Sequence, residues 1–241
     1  MKSTEYEEKY MPLLEHVKEL RNRIIITFFI FTTILSICLI YTKEISLILQ
    51  KPALGIKFLQ LAPGEYLFVS LKMAAYIAIC ISSPFILYQI IKFVQPGLTK
   101  KENQYILPIC ISALCLFFIG AIFSYTTIVP ITLNFLIKYG SDVIEPVLSF
   151  DEYFNFISLT IFTTGFCFQL PILQVILGIT NIINWQQMLK NWKYVTFVST
   201  IISAIITPST DPITQIMMTT TILILYSSGI VIVKTLQESN K

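Results

Sequence analysis

The sequence predicts an all-α membrane protein in which six helices cross the bilayer. Hydrophobic residues make up 55% of the 241-residue chain, charged residues only 13%, and the mean hydropathy is +0.73. Soluble domains carry roughly 25% charged residues, so this composition is typical of a chain surrounded by lipid. Stretches without Asp, Glu, Lys or Arg recur along the chain, and most approach or exceed the roughly 20 residues that a helix needs to cross a bilayer.

These apolar stretches set the bounds of the predicted domain. A polar N-terminal tail (1–10) and a C-terminal tail (234–241) flank a single membrane domain over 11–233. Its spans are predicted at 24–42, 71–93, 105–127, 154–178, 194–207 and 213–233. We expect the last two to be short helices joined by a tight turn. The fifth, with fourteen residues, extends only about 21 Å and falls short of the bilayer thickness.

The distribution of basic residues predicts the orientation. With six spans both termini lie on one face, called the inner face below. The segments expected on that face hold twelve Lys and Arg residues, and the opposite segments hold five. Because basic residues accumulate on the cytoplasmic side or its organellar equivalent, both termini are predicted to be cytoplasmic or stromal. On the outer face, segment 43–70 is broken by Pro52 and Pro63-Gly64, which predicts short interfacial helices with a turn.

Two carboxylates on the predicted inner face are suited to binding a cation. Glu19 lies in a dense charged segment directly before the first span, and Glu102 lies in the connection between spans two and three. Carboxylates accept the planar pair of hydrogen bonds that a guanidinium donates. A plainer interpretation remains open for both residues. Glu19 is four residues from Arg23 and suits an ordinary helix pair, and Glu102 follows two lysines with which it can pair.

A lone amide, Gln169, interrupts the fourth predicted span just before Pro171. An amide at that depth prefers a partner across a helix interface, worth on the order of 1 kcal/mol. Because Pro171 cannot donate to the carbonyl of Cys167, Gln169 is equally suited to satisfying local backbone at a kink. Docking of a partner and repair of the kink both remain open from the sequence.

The sequence offers no catalytic set, so we predict that the protein is not an enzyme. It has one His, no H-E-x-x-H zinc motif, no phosphate-binding glycine loop and no glycine-flanked nucleophilic serine. All five cysteines lie in apolar stretches without C-x-x-C spacing, which is typical of buried, unreactive thiols. We therefore predict neither a metal site nor a cofactor.

The sequence is compatible with two other classes of function. A secondary transporter of small solutes would fit the prolines within spans and Gln169 at depth, and it is the alternative function. Such transporters often carry ionisable residues inside spans and broken helices in two similar halves, and this sequence shows neither. A purely structural assembly scaffold is a third possibility, in which Glu19 and Glu102 would be dispensable.

Five motifs then occur in a characteristic order. They are LEHVKELRNR (14–23), SPFILYQ (83–89), QPGL (95–98), GFCFQLP (165–171) and TPSTDPITQ (207–215). With the six spans and the predicted topology, this order resembles the TatC family, the multispanning receptor subunit of the Sec-independent twin-arginine protein translocase. The similarity extends over nearly the whole chain, from 11 to 233.

The resemblance implies a function and a set of site residues. A TatC-like protein forms a concave bundle, binds the twin-arginine signal peptides of folded precursor proteins, and nucleates a translocation complex driven by the proton-motive force. Glu19 and Glu102 stand where the family's signal-binding carboxylates stand. Arg21 falls in the same patch, and the resemblance implies that it holds Glu19 in place when no peptide is bound.

The resemblance also implies partners and a location. Gln169, beside Pro171, occupies a position often taken by Glu, where relatives meet small single-span Tat subunits of the TatA and TatB kind. Asp211 matches an acidic position in the family's last outer turn. The bilayer and further copies of the chain complete the predicted partners, without nucleic acid. The Gln-for-Glu exchange and the TPSTDP turn resemble the cyanobacterial and plastid branch, so we expect a plastid thylakoid membrane, with a bacterial or cyanobacterial inner membrane as the alternative.

Overall fold

The computed structural model describes residues 13–53, 56–94, 100–140, 147–180, 182–206 and 212–239. The helices in this part of the chain are α1 (Leu13–Ile40), α2 (Thr42–Gln50), α3 (Glu65–Val94), α4 (Lys100–Phe123), α5 (Val129–Gly140), α6 (Phe150–Cys167), α7 (Leu170–Ile179), α8 (Trp185–Lys190), α9 (Trp192–Ile206) and α10 (Pro212–Ser239). Two short strands, β1 (Lys57–Leu59) and β2 (Val147–Ser149), pair in parallel.

Helices suited to crossing a membrane account for most of the fold. Within the described ranges, five helical stretches are long and apolar enough to cross a bilayer: Val17–Ile40, Glu65–Phe93, Ile106–Tyr139, Phe150–Ile179 and Pro212–Glu238. A shorter apolar helix, Trp192–Ile205, lies between the last two. The prediction of an all-α membrane protein is confirmed. That all six cross the bilayer, and that both termini face inward, remain predictions.

The last two helices differ in length. α9 has 15 residues and is short, as predicted. The prediction that the sixth is also short is wrong, because α10 has 28 residues, about 42 Å at 1.5 Å per residue. Its last turns extend into residues assigned to the tail and are held there by neighbours. The Gln237 amide donates to the Gly178 carbonyl at 3.1 Å and accepts from the Trp185 N–H at 3.2 Å.

The third apolar stretch, Ile106–Tyr139, is longer than a bilayer requires, with 34 residues or about 51 Å of helix. A π-helical turn over Ser124–Ile128 interrupts it between α4 and α5. Pro130 lies two residues after the end of this turn and cannot donate to the carbonyl of Thr126, so a local shift of the hydrogen-bond register accommodates the missing donor. α5 therefore continues beyond the length of an ordinary span.

The outer cap joins segments far apart in sequence. It consists of α2, β1, β2 and the helix starts beside them, and Phe58 of β1 contacts Phe150 and Tyr153 with ring centroids 6.2 and 4.9 Å apart. The Tyr153 hydroxyl donates to the Leu49 carbonyl at 2.6 Å, which fastens the end of α2. The turn expected at Pro63-Gly64 is present, with Gly64 in the left-handed region at φ 82°. The strand pair was not predicted.

The carboxylate of Glu65 accepts hydrogen bonds from two separate segments of this cap. The backbone amides of Leu61 and Ala62 donate to Glu65 Oε2 at 2.6 and 3.0 Å, and the amide of Asp151 donates to Oε1 at 2.9 Å. Glu65 is only 9% exposed. The Asp151 carboxylate in turn pairs with Lys72 Nζ at 3.0 Å. Glu65 thereby joins the turn before α3 to the start of α6, and charge-assisted bonds of this kind are among the stronger hydrogen bonds in proteins.

Glu65→Gln should loosen the cap while leaving the helices intact. An amide has one acceptor oxygen, so either the Leu61–Ala62 pair or the Asp151 amide would face an N–H group and lose its acceptor. We expect amide hydrogen exchange to accelerate about tenfold or more on the side that loses its acceptor, either at 61 and 62 or at 151, because these bonds protect the amides from local opening. Glu44→Gln, at an exposed residue of α2, is the matched control. Unchanged exchange in Glu65→Gln would show that the cap holds without the carboxylate.

Candidate functional site

Glu19 lies on the face of α1 that packs against α3. Its carboxylate receives the Arg23 guanidinium, because residues four apart share one side of a helix. Arg23 Nε donates to Glu19 Oε1 at 3.0 Å, and Nη2 donates to the same oxygen. Arg23 Nη1 reaches across to α3 and donates to Gln89 Oε1 at 3.0 Å. The side chains of Arg23 and Glu19 are 22% and 21% exposed, so the pair is shielded by its neighbours.

The other oxygen of this carboxylate is left without a partner. Glu19 Oε2 is buried and makes no hydrogen bond to the described residues. Buried polar atoms are nearly always hydrogen-bonded, and an unpaired charged oxygen is costly. Arg23 therefore neutralises the charge of Glu19 without satisfying both oxygens. The site retains unused capacity to accept hydrogen bonds.

An apolar groove of about 420 Å³ begins at this ion pair and runs between α1 and α3. Arg23 and Gln89 form its polar end. The rest is lined mainly by Ile24, Phe28 and Phe31 of α1 and by Ile86, Ile90 and Phe93 of α3. Phe28 is 68% exposed and Ile24 is 59% exposed, so this chain leaves much of the groove wall uncovered. A carboxylate–guanidinium pair beside an apolar groove suits a ligand that carries charge followed by hydrophobic residues.

The structure assigns the contact to Glu19 differently from the sequence-based interpretation. The resemblance implied that Arg21 holds Glu19, but Arg21 is exposed and the guanidinium on Glu19 belongs to Arg23. The helical period explains the difference, because four residues nearly complete a turn of 3.6 residues whereas two place a side chain on the opposite face. Arg21 remains available on the surface for an external ligand. Gln89 lies in a recognised motif but was given no role from the sequence.

Two other predicted site residues are described only in part or not at all. Glu102 lies in the first turn of α4, which begins at Lys100, and the placement of its side chain lies outside the described residues. Asp211 also lies outside them, directly before α10 begins at Pro212. The roles predicted for both residues therefore remain predictions.

Gln169 occupies the break between α6 and α7. Pro171 is the second residue of α7, and the chain tightens before it, with the Gln169 N–H donating to the Phe166 carbonyl at 2.9 Å. The Gln169 side chain does not repair this kink. Its Nε2 donates instead to the Ala113 carbonyl of α4 at 3.0 Å, which is a bond across a helix interface. A contact with another subunit remains a prediction.

A second amide, Gln174, lies in the contact between α7 and α10 and was not predicted as a site residue. It is 6% exposed and donates to the Tyr226 carbonyl at 3.2 Å. Its Oε1 has no hydrogen-bond partner in the described part of the chain and lies over Gly229, 1.8 Å from where a Cβ would stand. The available signal was the coincidence of Gln174, Gly178 and Gly229 within apolar helices, since small residues permit close helix approach.

The described residues contain no cluster of three or more His, Cys, Asp or Glu side chains that could hold a metal ion. All five cysteines are free thiols.

Comparisons with known proteins agree with this architecture. A family model for the Sec-independent protein translocase protein TatC matches residues 15–220. An uncharacterized TatC-like protein of Gracilaria tenuistipitata var. liui is 57% identical over 228 residues, which is 95% of this chain and 96% of that protein. The Sec-independent protein translocase protein TatC of Synechocystis sp. is 46% identical over 220 residues, 91% of this chain and 87% of that protein.

A solved structure extends the similarity to three dimensions. A crystal structure of the twin-arginine translocase receptor TatC superposes with a TM-score of 0.77 at 31% identity, covering 91% of this chain and 98% of that one. Similarity to chloroplastic and cyanobacterial members indicates a multi-pass protein of a thylakoid or inner membrane, as the sequence predicted. Family model, relatives and fold agree over most of the chain, and this chain belongs to the TatC family of Sec-independent protein translocase proteins.

Proposed function

We propose that this chain is the signal-peptide receptor of a twin-arginine translocase. It binds the paired arginines of precursor signal peptides at the inner face through Glu19 and Glu102. The apolar segment that follows the arginines in such a peptide enters the groove between α1 and α3. The bound peptide then nucleates the translocation complex, and transport of the folded precursor is driven by the proton-motive force.

The observation that carries this proposal is the position of the Glu19 carboxylate. It accepts from Arg23, which with Gln89 forms the polar end of the apolar groove. It is shielded from solvent, and one of its oxygens lacks a hydrogen-bond partner in the described residues. A guanidinium offers a planar set of donors that can satisfy both oxygens. Continuity between charge and groove suits arginines followed directly by hydrophobic residues. Arg21 is exposed on the same helix and adjusts the surface charge that an approaching peptide meets.

Small single-span Tat subunits of the TatA and TatB kind are the proposed protein partners. We place their contact beside Gln169 and Pro171, with Asp211 in the last outer turn as a further candidate. The break between α6 and α7 supports this placement, because it leaves a polar side chain at an interface within the apolar helices. The bilayer and further copies of the chain complete the proposed assembly.

A peptide-binding measurement tests the proposal on the purified chain in lipid nanodiscs. A synthetic peptide with two adjacent arginines before an apolar segment should bind about tenfold more tightly than its lysine-lysine counterpart, a difference of about 1.4 kcal/mol. A photoreactive residue in the apolar segment should label α1 and α3 beside the groove. If a peptide that lacks both basic residues bound as tightly as the twin-arginine peptide, the interaction would be insertion into lipid only, and the proposal would be contradicted. Uptake of small solutes by the chain alone would favour the transporter alternative.

A further inference from the structure

Arg23 already fills the position at Glu19 that an arriving guanidinium would take. Two of its nitrogens, Nε and Nη2, donate to Glu19 Oε1, and Nη1 donates to Gln89 at 3.0 Å. The second carboxylate oxygen is covered. In this arrangement both oxygens of Glu19 are closed to an external ligand, one because Arg23 holds it and the other because it is buried.

We propose that Arg23, latched by Gln89, is an internal occupant of the Glu19 site and sets the affinity threshold for cationic peptides, a role that rests on the receptor function proposed above. An arriving arginine must displace Arg23 before it binds. Arg23 and Gln89 are thus positioning residues that act through Glu19 and lower its apparent affinity for every arriving cation.

The geometry explains why a peptide arginine can make this exchange. Arg23 places both of its donors on one oxygen and leaves Oε2 without a partner in the described residues, so it does not use the two-oxygen fork that a guanidinium can form with a carboxylate. A peptide arginine that uses the fork gains a hydrogen bond that Arg23 forgoes. A lysine ammonium lacks the planar fork and gains less from the same displacement.

The internal ion pair acts on every ligand to the same degree. The apparent affinity equals the intrinsic affinity multiplied by the fraction of molecules in which the site is open, whichever cation arrives. Isolated surface lysines and arginines of other proteins, which bind Glu19 weakly, therefore stay below the threshold, whereas a peptide that also fills the groove exceeds it. Removing Arg23 should raise the affinity for arginine and lysine peptides alike.

Arg23→Gln tests this inference by titration of the twin-arginine peptide against the full chain in nanodiscs. We expect the peptide to bind about tenfold more tightly than to wild type, because the site no longer has to be vacated. Lys18→Gln is the matched control, since Lys18 is exposed on the same helix and loses the same charge. Its affinity change should be about twofold at most, the effect of one screened surface charge. An Arg23→Gln affinity equal to or below that of Lys18→Gln would overturn the inference.

Gln89→Leu provides a second test without a change of charge. The bond from Arg23 Nη1 to Gln89 helps to hold the guanidinium beside Glu19, so its loss should raise affinity in the same direction as Arg23→Gln but by less. A fall in affinity would contradict the latch. Glu19→Gln separates the two proposals. Loss of peptide binding in Glu19→Gln, both as a single variant and combined with Arg23→Gln, would support Glu19 as the receptor site. The affinity of the Arg23→Gln single variant then tests whether Arg23 occupies that site in the absence of peptide.

Discussion

Glu19→Gln should weaken binding of a twin-arginine peptide by about a hundredfold, because removing one member of a shielded, hydrogen-bonded charge pair costs roughly 2–5 kcal/mol. Glutamine retains one acceptor but loses the charge. The amide oxygen holds Arg23 more weakly than the carboxylate did, and the Arg23 charge is no longer neutralised, so Arg23 would repel the peptide arginines. The measurement is the dissociation constant of the labelled peptide in nanodiscs, for the arginine and the lysine forms separately.

Glu44→Gln is the matched control for this experiment. It makes the same chemical change at an exposed glutamate of α2, on the opposite part of the fold from the groove, and should bind the peptide as wild type does. Glu102→Gln should give a second, separate loss if both carboxylates contact arginines. Undiminished affinity in Glu19→Gln, with the protein still folded, would remove Glu19 from the receptor site and the groove argument with it.

Structural features that depend on local sequence patterns could be predicted. Apolar runs long enough for a bilayer predicted the helices, and the fourteen-residue run between Lys193 and Pro208 predicted the short α9. The helical period also allowed the pairing of Glu19 with Arg23, which the sequence left as an alternative. Such features depend on composition and on spacing within one helix, and both can be read without knowing which helices meet.

Contacts between distant segments could not be predicted in the same way. The strands β1 and β2 have three residues each, too few to show an alternating pattern, and their paired residues are ninety positions apart in the sequence. The bond from Arg23 to Gln89 depends on how α1 and α3 are rotated about their axes. The length of α10 was underestimated because its last turns are polar, and their helical structure depends on Gln237 contacts with other elements.

Gly229→Ala should destabilise the protein by about 2 kcal/mol, through overpacking and a displaced buried amide. In most helices this exchange stabilises, by about 1 kcal/mol, because alanine is the better helix former. Here the new Cβ would stand 1.8 Å from Gln174 Oε1 and 3.1 Å from the Cα of Pro171. Gln174 would have to move and give up its bond to the Tyr226 carbonyl. Thermal unfolding in detergent measures the change, with Ser228→Ala, at the exposed neighbour on α10, as the control.

Removal of the Gln174 side chain tests whether the clash with a Cβ at position 229 involves this amide. In a Gln174→Ala background, Gly229→Ala should be close to neutral, because the amide is gone and the helical preference of alanine, about 1 kcal/mol, offsets the remaining tight contact with Pro171. The difference between the two backgrounds is then the coupling energy between Gln174 and Gly229. If Gly229→Ala costs the same in both, the amide yields without resistance and the close approach of α7 and α10 depends on the Pro171 backbone instead. A stabilising Gly229→Ala in wild type would show that the two helices can separate freely at this point.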